Sequence, residues 1–184
     1  QLWQALNLNS AWQAGSHIDM FGHTQADLGA EATDSRYALI QELVVKFKDA
    51  KAFGSLISVD HSHETTLFDL KNVLKDLVIN GDSLQKASAE KFLPIVEQAW
   101  ILSQRYDAVI ANPPYMGGGG MNANLKAFAK KYFPDSKSDL FAMFMEHSFN
   151  LLKPNGFNAQ VNMQSWMFLS SYEKLREKLL ESKT

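Results

Sequence analysis

The sequence contains no cysteine. Disulfides, thiolate zinc sites and a cysteine nucleophile are therefore excluded. Proline is scarce, five in 184 residues, yet two of the five stand side by side at Pro113 and Pro114. Neither charge sign dominates: 18 Lys and Arg against 20 Asp and Glu leave a net charge of -2 at pH 7. Domains devoted to nucleic acid are often strongly basic, so the total argues mildly against DNA, although a local basic patch fits inside a neutral sum. No apolar run approaches the roughly 18 residues of a membrane span, and the N-terminus lacks a charged-then-apolar signal pattern. A cytoplasmic protein with no membrane partner is the expectation. What is present is ordinary for a globular chain, 46% hydrophobic and 21% charged, and long enough for a real core. The chain opens on Gln1 and stops on "LLESKT" just after a helical pattern, which predicts a piece of a longer protein.

Apolar spacing predicts the elements. Residues 2–8 carry helical spacing, and residues 9–33 mix Gly, His, Asp and Thr without period, as an irregular segment. From Asp34, Leu39, Ile40, Leu43, Val44 and Phe47 mark one helix face, which "AFGSLISVD" interrupts. A second helix fits Glu64 to Ile79, where Leu67, Leu70, Leu74 and Leu77 recur every three or four residues. "NGDS" is a turn in which Asp82 or Ser83 caps the next helix, about Leu84 to Gln104, kinked or delayed by Pro94. "YDAVIA" at 106–111 reads as a strand. Ser138 to Leu152 reads as a helix buried along Leu140, Phe141, Phe144, Met145, Phe149 and Leu152, and ended by Lys153-Pro154-Asn155-Gly156. "FNAQVNM" is a further strand, and Ser170-x-x-Glu173 matches a capping box opening a last helix to Leu180. Alternating strand and helix predicts an α/β arrangement with parallel strands and right-handed crossovers.

One stretch asks for chemistry: "YDAVIANPPYMGGGGMN", residues 106–122. The four glycines match neither G-x-x-x-x-G-K-[ST] nor G-x-G-x-x-G, position 122 being Asn, so they read as a hinge or lid rather than a phosphate cradle. Pro113-Pro114-Tyr115 is not a WW ligand, which needs a residue between PP and Y. A strand-ending turn without function is the plain alternative. In a parallel sheet, however, ligands bind beyond the carboxyl ends of strands, where this corner would sit. Asn112 offers an acceptor oxygen, and the Pro113 carbonyl a second acceptor in stiff geometry, with no competing N–H. Together they suit both protons of one amine, and the Tyr115 ring suits a flat heterocycle. An exocyclic amine or a carboxamide, turned into a nucleophile, fits this set.

"NPPYMGGGGMN", "KSDLFAMFMEHSFNLLKPNGF" and "QSWMFLSSYEKLR" resemble the adenine-specific DNA methyltransferases of bacterial phage-exclusion (BREX) systems, the PglX type. "DAKAFGSLI" at 49–57 resembles a stretch that these enzymes and type IIG restriction–modification proteins carry upstream of NPPY. The resemblance covers roughly 36–57 and 100–180. It implies a partial Rossmann-like, S-adenosylmethionine-dependent methyltransferase fold. Residues 1–105 would be a mainly helical segment, and 106–184 the C-terminal part of the catalytic domain. It implies that Asn112 and Pro113 bind the adenine amine and Tyr115 stacks on the flipped base, with Pro114 counted among the catalytic residues of the corner. The partners implied are double-stranded DNA with a flipped adenine and other proteins of the defence system. The family's glycine-rich S-adenosylmethionine turn is not found in this chain, and the family places it upstream of the matching region. "INGDSL" at 79–84 offers Asp82 as a contact to the cofactor's adenine, with helix capping as the alternative. A protein-glutamine methyltransferase, or a non-catalytic DNA-interaction domain that keeps the corner, remain the competing functions.

Smaller features stay open in the same way. Asp60, His61, His63 and Glu64 could ligate a metal or sit in a solvated loop, as could His17 and His23. His147 is expected at a helix boundary. Trp166 and Phe168 are expected in the core, with Trp166 alternatively lining a base pocket. Lys126, Lys130, Lys131 and Lys137 either meet phosphate oxygens or form a solvated helix face.

Overall fold

The computed structural model describes residues 17–18, 24–25 and 35–182. The expected helix at 2–8 lies outside them. Within 9–33 the described residues form two short strands, β1 His17–Ile18 and β2 Thr24–Gln25, paired antiparallel. The chain divides into two compact units.

The first unit takes the residues up to Lys48 together with Val59–Ser103. It holds α1 Ser35–Lys46, a 3-10 turn His61–His63, α3 Glu64–Asn80 and α4 Ser83–Ser103. Leu39, Ile40, Leu43 and Phe47 are buried, as their spacing predicts, while Val44 is 46% exposed at the edge of that face. α3 buries Leu67, Leu70 and Leu74, and α4 buries Phe92, Val96 and Ala99. The two helices run antiparallel as a hairpin: Lys75 Nζ meets Glu97 Oε1 at 3.0 Å, and the rings of Phe68 and Trp100 lie 5.8 Å apart. The hairpin turn is set by Gly81, where a Cβ would stand 2.5 Å from the Leu77 carbonyl. Pro94 neither delays α4 nor ends it, since the helix continues through that position. The proline lies on an exposed face, where the carbonyl it leaves without a donor can be met by water.

The second unit joins Asp49–Ser58 to the chain from Gln104 onward. Its elements are α2 Ala50–Phe53, a 3-10 turn Gly54–Leu56, β3 Tyr106–Ala111, α5 Ala123–Tyr132, α6 Leu140–Asn150, β4 Leu152–Gln160, 3-10 turns at Gln164–Met167 and Ser170–Tyr172, and α7 Glu173–Ser182. The segment 49–58 is held because Leu56 enters a core cluster with Met121, Leu125, Ala129, Phe133, Leu140 and Met143. Phe53 also stacks on Phe128, with centroids 4.2 Å apart and planes 13° from parallel. A second cluster gathers Phe141, Ala142, Met145, Tyr172 and Leu175 beneath α7.

β3 and β4 pair in parallel, with α5 and α6 in the crossover, as the alternation of strand and helix predicts. β4 begins earlier than expected. The helix stops at Asn150, and Lys153–Gly156 belongs to the strand as a bulge: Tyr106 pairs with Leu152, and the register then jumps so that Ala108 faces Phe157. Asn155 takes a left-handed φ of 63°, which asparagine tolerates. Gly156 is needed for close approach, because a Cβ there would meet the Asp107 and Lys153 carbonyls at 3.1 Å. One sheet face, with Asn158 and Gln160, turns toward α6, where the Gln160 amide donates to the Ser148 hydroxyl and to the Phe144 carbonyl. The opposite face is bare: Ile110 is 82% exposed, Phe157 77% and Val161 63%.

Candidate active site

The carboxyl end of β3 delivers the NPPY corner. Val161 N–H donates to the Ala111 carbonyl at 3.1 Å, so the pairing of the strands continues to the corner's first step. Pro113 is then buried, while Asn112 and Pro114 are exposed. Two proline rings in succession fix φ twice and remove two donors, so Asn112 is mounted on backbone with little freedom.

Tyr115 is anchored at its tip. Its hydroxyl donates to the Val161 carbonyl at 2.8 Å, and its ring meets Phe141 edge-on, with centroids 6.1 Å apart. The side chain nonetheless stays 50% exposed. Its hydroxyl thus serves the fold while half of the residue's surface stays open. The residues that follow are tied down as well. The Asp139 carboxylate accepts from Met116 N–H at 2.9 Å while capping α6 through Phe141 N–H. Leu140 N–H donates to the Met116 carbonyl, and Gly118 N–H to the Ser138 carbonyl, both at 3.1 Å. This cap explains why α6 starts at Leu140 rather than Ser138. The glycine run closes a turn, Gly120 N–H donating to the Gly117 carbonyl at 2.9 Å.

Beyond Val161 the chain lines a cavity of about 510 Å³ with Met145, Phe149, Gln160, Asn162, Trp166 and Arg176 on its wall. Asn162 Oδ1 is buried there without a hydrogen-bond partner among the described residues. Trp166 packs against the Phe141–Leu175 cluster as well as facing the cavity. Phe168, expected in the core, is 75% exposed, because it follows a 3-10 turn that ends β4's direction instead of extending it. Tyr172 is buried between Phe141 and its neighbours; burial, with the Asp139 carboxylate adding to it, pushes its phenol pKa up.

His147, expected at a boundary, is only 3% exposed. Burial and, after it, the nearby Arg105 charge lower its pKa to about 4, against a hydrogen bond at the Ser55 backbone and the Glu146 carboxylate, which raise it. It reaches the core because α6 is covered on two sides, by the 54–56 turn and by Phe133, whose ring lies 6.1 Å from the imidazole. Neither neighbour is local in sequence, so helical spacing could not reveal them.

Asp82 lies in the first unit, where Oδ1 accepts from Leu84 N–H and Gln85 N–H, each at 2.9 Å, as a helix cap. His61 Nδ1 lies 2.9 Å from the Ser103 carbonyl and 3.3 Å from Glu64, His63 faces Glu42 at 3.8 Å, and Asp60 caps Ser62 N–H. Among the described residues no group of three His, Asp or Glu is placed to hold a metal ion. No described helix is long and apolar enough to cross a membrane.

A stiff corner with an anchored aromatic thus stands beyond the carboxyl end of a parallel strand, and the sequence comparisons give the family of the chain that carries it. The chain belongs to the Eco57I restriction-modification methylase family, whose model matches residues 24–184. The adenine-specific methyltransferase BrxX of Escherichia coli O9:H4 (strain HS) is 56% identical over all 184 residues. The adenine-specific methyltransferase PglX of Lacticaseibacillus casei (strain Zhang) is 35% identical over 153 residues, 76% of this chain. The chain spans 15% of the length of the first and 12% of the second.

Proposed function

We propose that this chain forms the target-amine corner of a site-specific DNA adenine methyltransferase of bacterial phage defence. The observation that carries the reading is the rigid Asn112-Pro113-Pro114-Tyr115 corner at the end of β3, in a chain of a methylase family. Asn112 Oδ1 and the Pro113 carbonyl accept the two protons of the adenine N6 amine. The nitrogen lone pair is then directed at the incoming methyl group. The new N–C bond forms as the carbon–sulfur bond of the donor breaks, the sulfur keeps the electron pair as a neutral thioether, and the amine's surplus proton passes to water. Adenine inside a duplex is out of reach, so the base is extruded into the site at the cost of its stacking, part of which the Tyr115 ring restores. Positioning and hydrogen bonding to the developing charge supply the catalysis.

Membership of a methylase family implies S-adenosylmethionine as the donor. We assign its main cradle to residues outside these 184: the glycine run is tied to 138–140 and precedes lysines, and the Asp82 carboxylate serves as a cap. The chain on its own is then inactive, and calorimetry should find no saturable S-adenosylmethionine binding to these 184 residues. The bare face of the β3–β4 pair supports a Rossmann-like sheet. Parallel strands are almost always covered on both faces, and Ile110, Phe157 and Val161 await such a cover.

The test is Asn112→Ala in the intact protein that carries this chain, with N6-methyladenine in DNA measured by mass spectrometry. Methylation should vanish while DNA binding persists. Near-wild-type methylation by this variant would refute the assigned mechanism. Methylation of a glutamine carboxamide in protein, with none in DNA, would transfer the same corner to the competing substrate.

A further inference from the structure

We propose that the Gly117–Gly120 loop and the outer face of α5 form a grip for the sugar–phosphate backbone of duplex DNA, immediately after the NPPY corner. The proposal rests on the adenine-methylation reading and adds to it the surface that holds the strand. Lys126, Lys130, Lys131 and Lys137 fall between Gly117 and Lys137 with Asp135 as their sole acid, in a chain whose net charge is -2. All four lysines are exposed. Among the described residues none of them has a carboxylate partner, whereas Lys75, Lys153 and Lys178 are each paired with one. Lys131 lies over the Tyr132 ring, 4.8 Å from its centroid.

The opposite face of α5 is fixed. Leu125 and Ala129 are buried, and Phe128 stacks on Phe53, so the helix cannot rotate to hide its lysines. Lys130 and Lys131 stand in the last turn, where the helix dipole favours positive charge, but Lys126 is placed against the helix's own stability. The first turn holds no acid and does hold Lys126, at the end where the helix dipole favours negative charge. Lys126 and Lys130 are four residues apart, a spacing at which like charges repel. A row of phosphates relieves both costs.

The glycines add an independent observation. A Cβ on Gly118 or Gly119 would meet nothing within 4 Å, and neither residue has a positive φ. Neither the backbone conformation nor the packing among the described residues calls for glycine at those positions. Close approach of another molecule's backbone does.

The experiment compares DNA binding by the intact protein, wild type and Lys126→Gln/Lys130→Gln/Lys131→Gln, over a salt series with a non-cognate duplex. Removing one lysine–phosphate pair flattens the dependence of log affinity on log salt by about 0.9, so the triple variant should lose roughly two to three in slope. Gly118→Asp/Gly119→Asp places two acids where this chain has room, and should weaken binding without lowering the unfolding midpoint. Asn112→Ala should keep the wild-type slope and lose methylation. If the wild type methylates adenine but the triple variant keeps its slope, the grip is overturned and the methylation reading stands. A wild-type protein that neither binds duplex DNA nor methylates it overturns both.

Discussion

His147 should make the second unit lose stability in a defined pH window. Its imidazole is 3% exposed, Nε2 has no partner among the described residues, and burial holds the pKa at about 4 against 6.5 in an unfolded chain. The folded state therefore binds its proton later than the unfolded state does. The stability of the neutral, buried form is complete above pH 6.5, falls as pH drops from 6.5 toward 4, and levels off below that. At about 1.36 kcal/mol per pKa unit, the full loss is on the order of 3 kcal/mol, with on the order of 1 kcal/mol already gone at about pH 5.5. The groups facing the ring set the size of the effect. Arg105 deepens it, while Glu146 and the Ser55 backbone oppose it. The assay is urea unfolding between about pH 7.5 and 4.5, followed by Trp166 fluorescence in a chain whose other tryptophans are replaced by phenylalanine. His147→Leu removes the titrating group, so its stability should be flatter across the window whatever its absolute value. Carboxylate titration is common to both proteins and cancels in the comparison. If wild type and His147→Leu lose stability in parallel, or if the His147 Cε1 proton titrates near 6.5 by NMR, the burial argument is wrong.

Two further outcomes separate roles that the sequence leaves joined. Tyr115→Phe loses the hydrogen bond to the Val161 carbonyl, about 0.5–1.5 kcal/mol of stability by thermal unfolding, and should retain most of the base capture. Tyr115→Ala also loses the ring, about 1–3 kcal/mol of stacking, and should raise KM for DNA roughly 10- to 100-fold. Asp82→Ala should cost about 1 kcal/mol in urea unfolding through loss of the α4 cap, and leave S-adenosylmethionine affinity of the intact protein unchanged. A large loss of donor affinity would instead make Asp82 a cofactor ligand.

Features carried by local spacing were legible in the sequence. The buried leucines of α3, the strand at 106–111 and the stiff corner after it follow from apolar period and proline chemistry. The Asp82 turn was legible because a cap acts within three residues. What escaped was non-local. The bulge at Lys153–Gly156 looks like a helix stop until Tyr106 pairs with Leu152 and draws the segment into the sheet. His147 sits at a polar-looking position on its own helix, and its burial depends on Phe133 and on residues near Leu56. The Tyr115 hydroxyl finds its acceptor at Val161, which no motif around NPPY announces.

The discontinuity of the second unit has a consequence for how the protein is made. Leu56 and Phe53 leave the ribosome long before Met121, Leu125 and Phe128, the residues that bury them. At about 5–20 residues per second, these two side chains wait several seconds in water while the α3–α4 hairpin is synthesised and can already close on local contacts. The core around Leu56 must then be completed by closing a long loop, which costs chain entropy before any contact repays it. A translation pause between Ser103 and Phe128 would lengthen the exposure, and rapid passage through that stretch would favour productive folding. The glycine-rich turn beside the active corner thus also lies in the stretch whose synthesis times the moment at which the early segment finds its place.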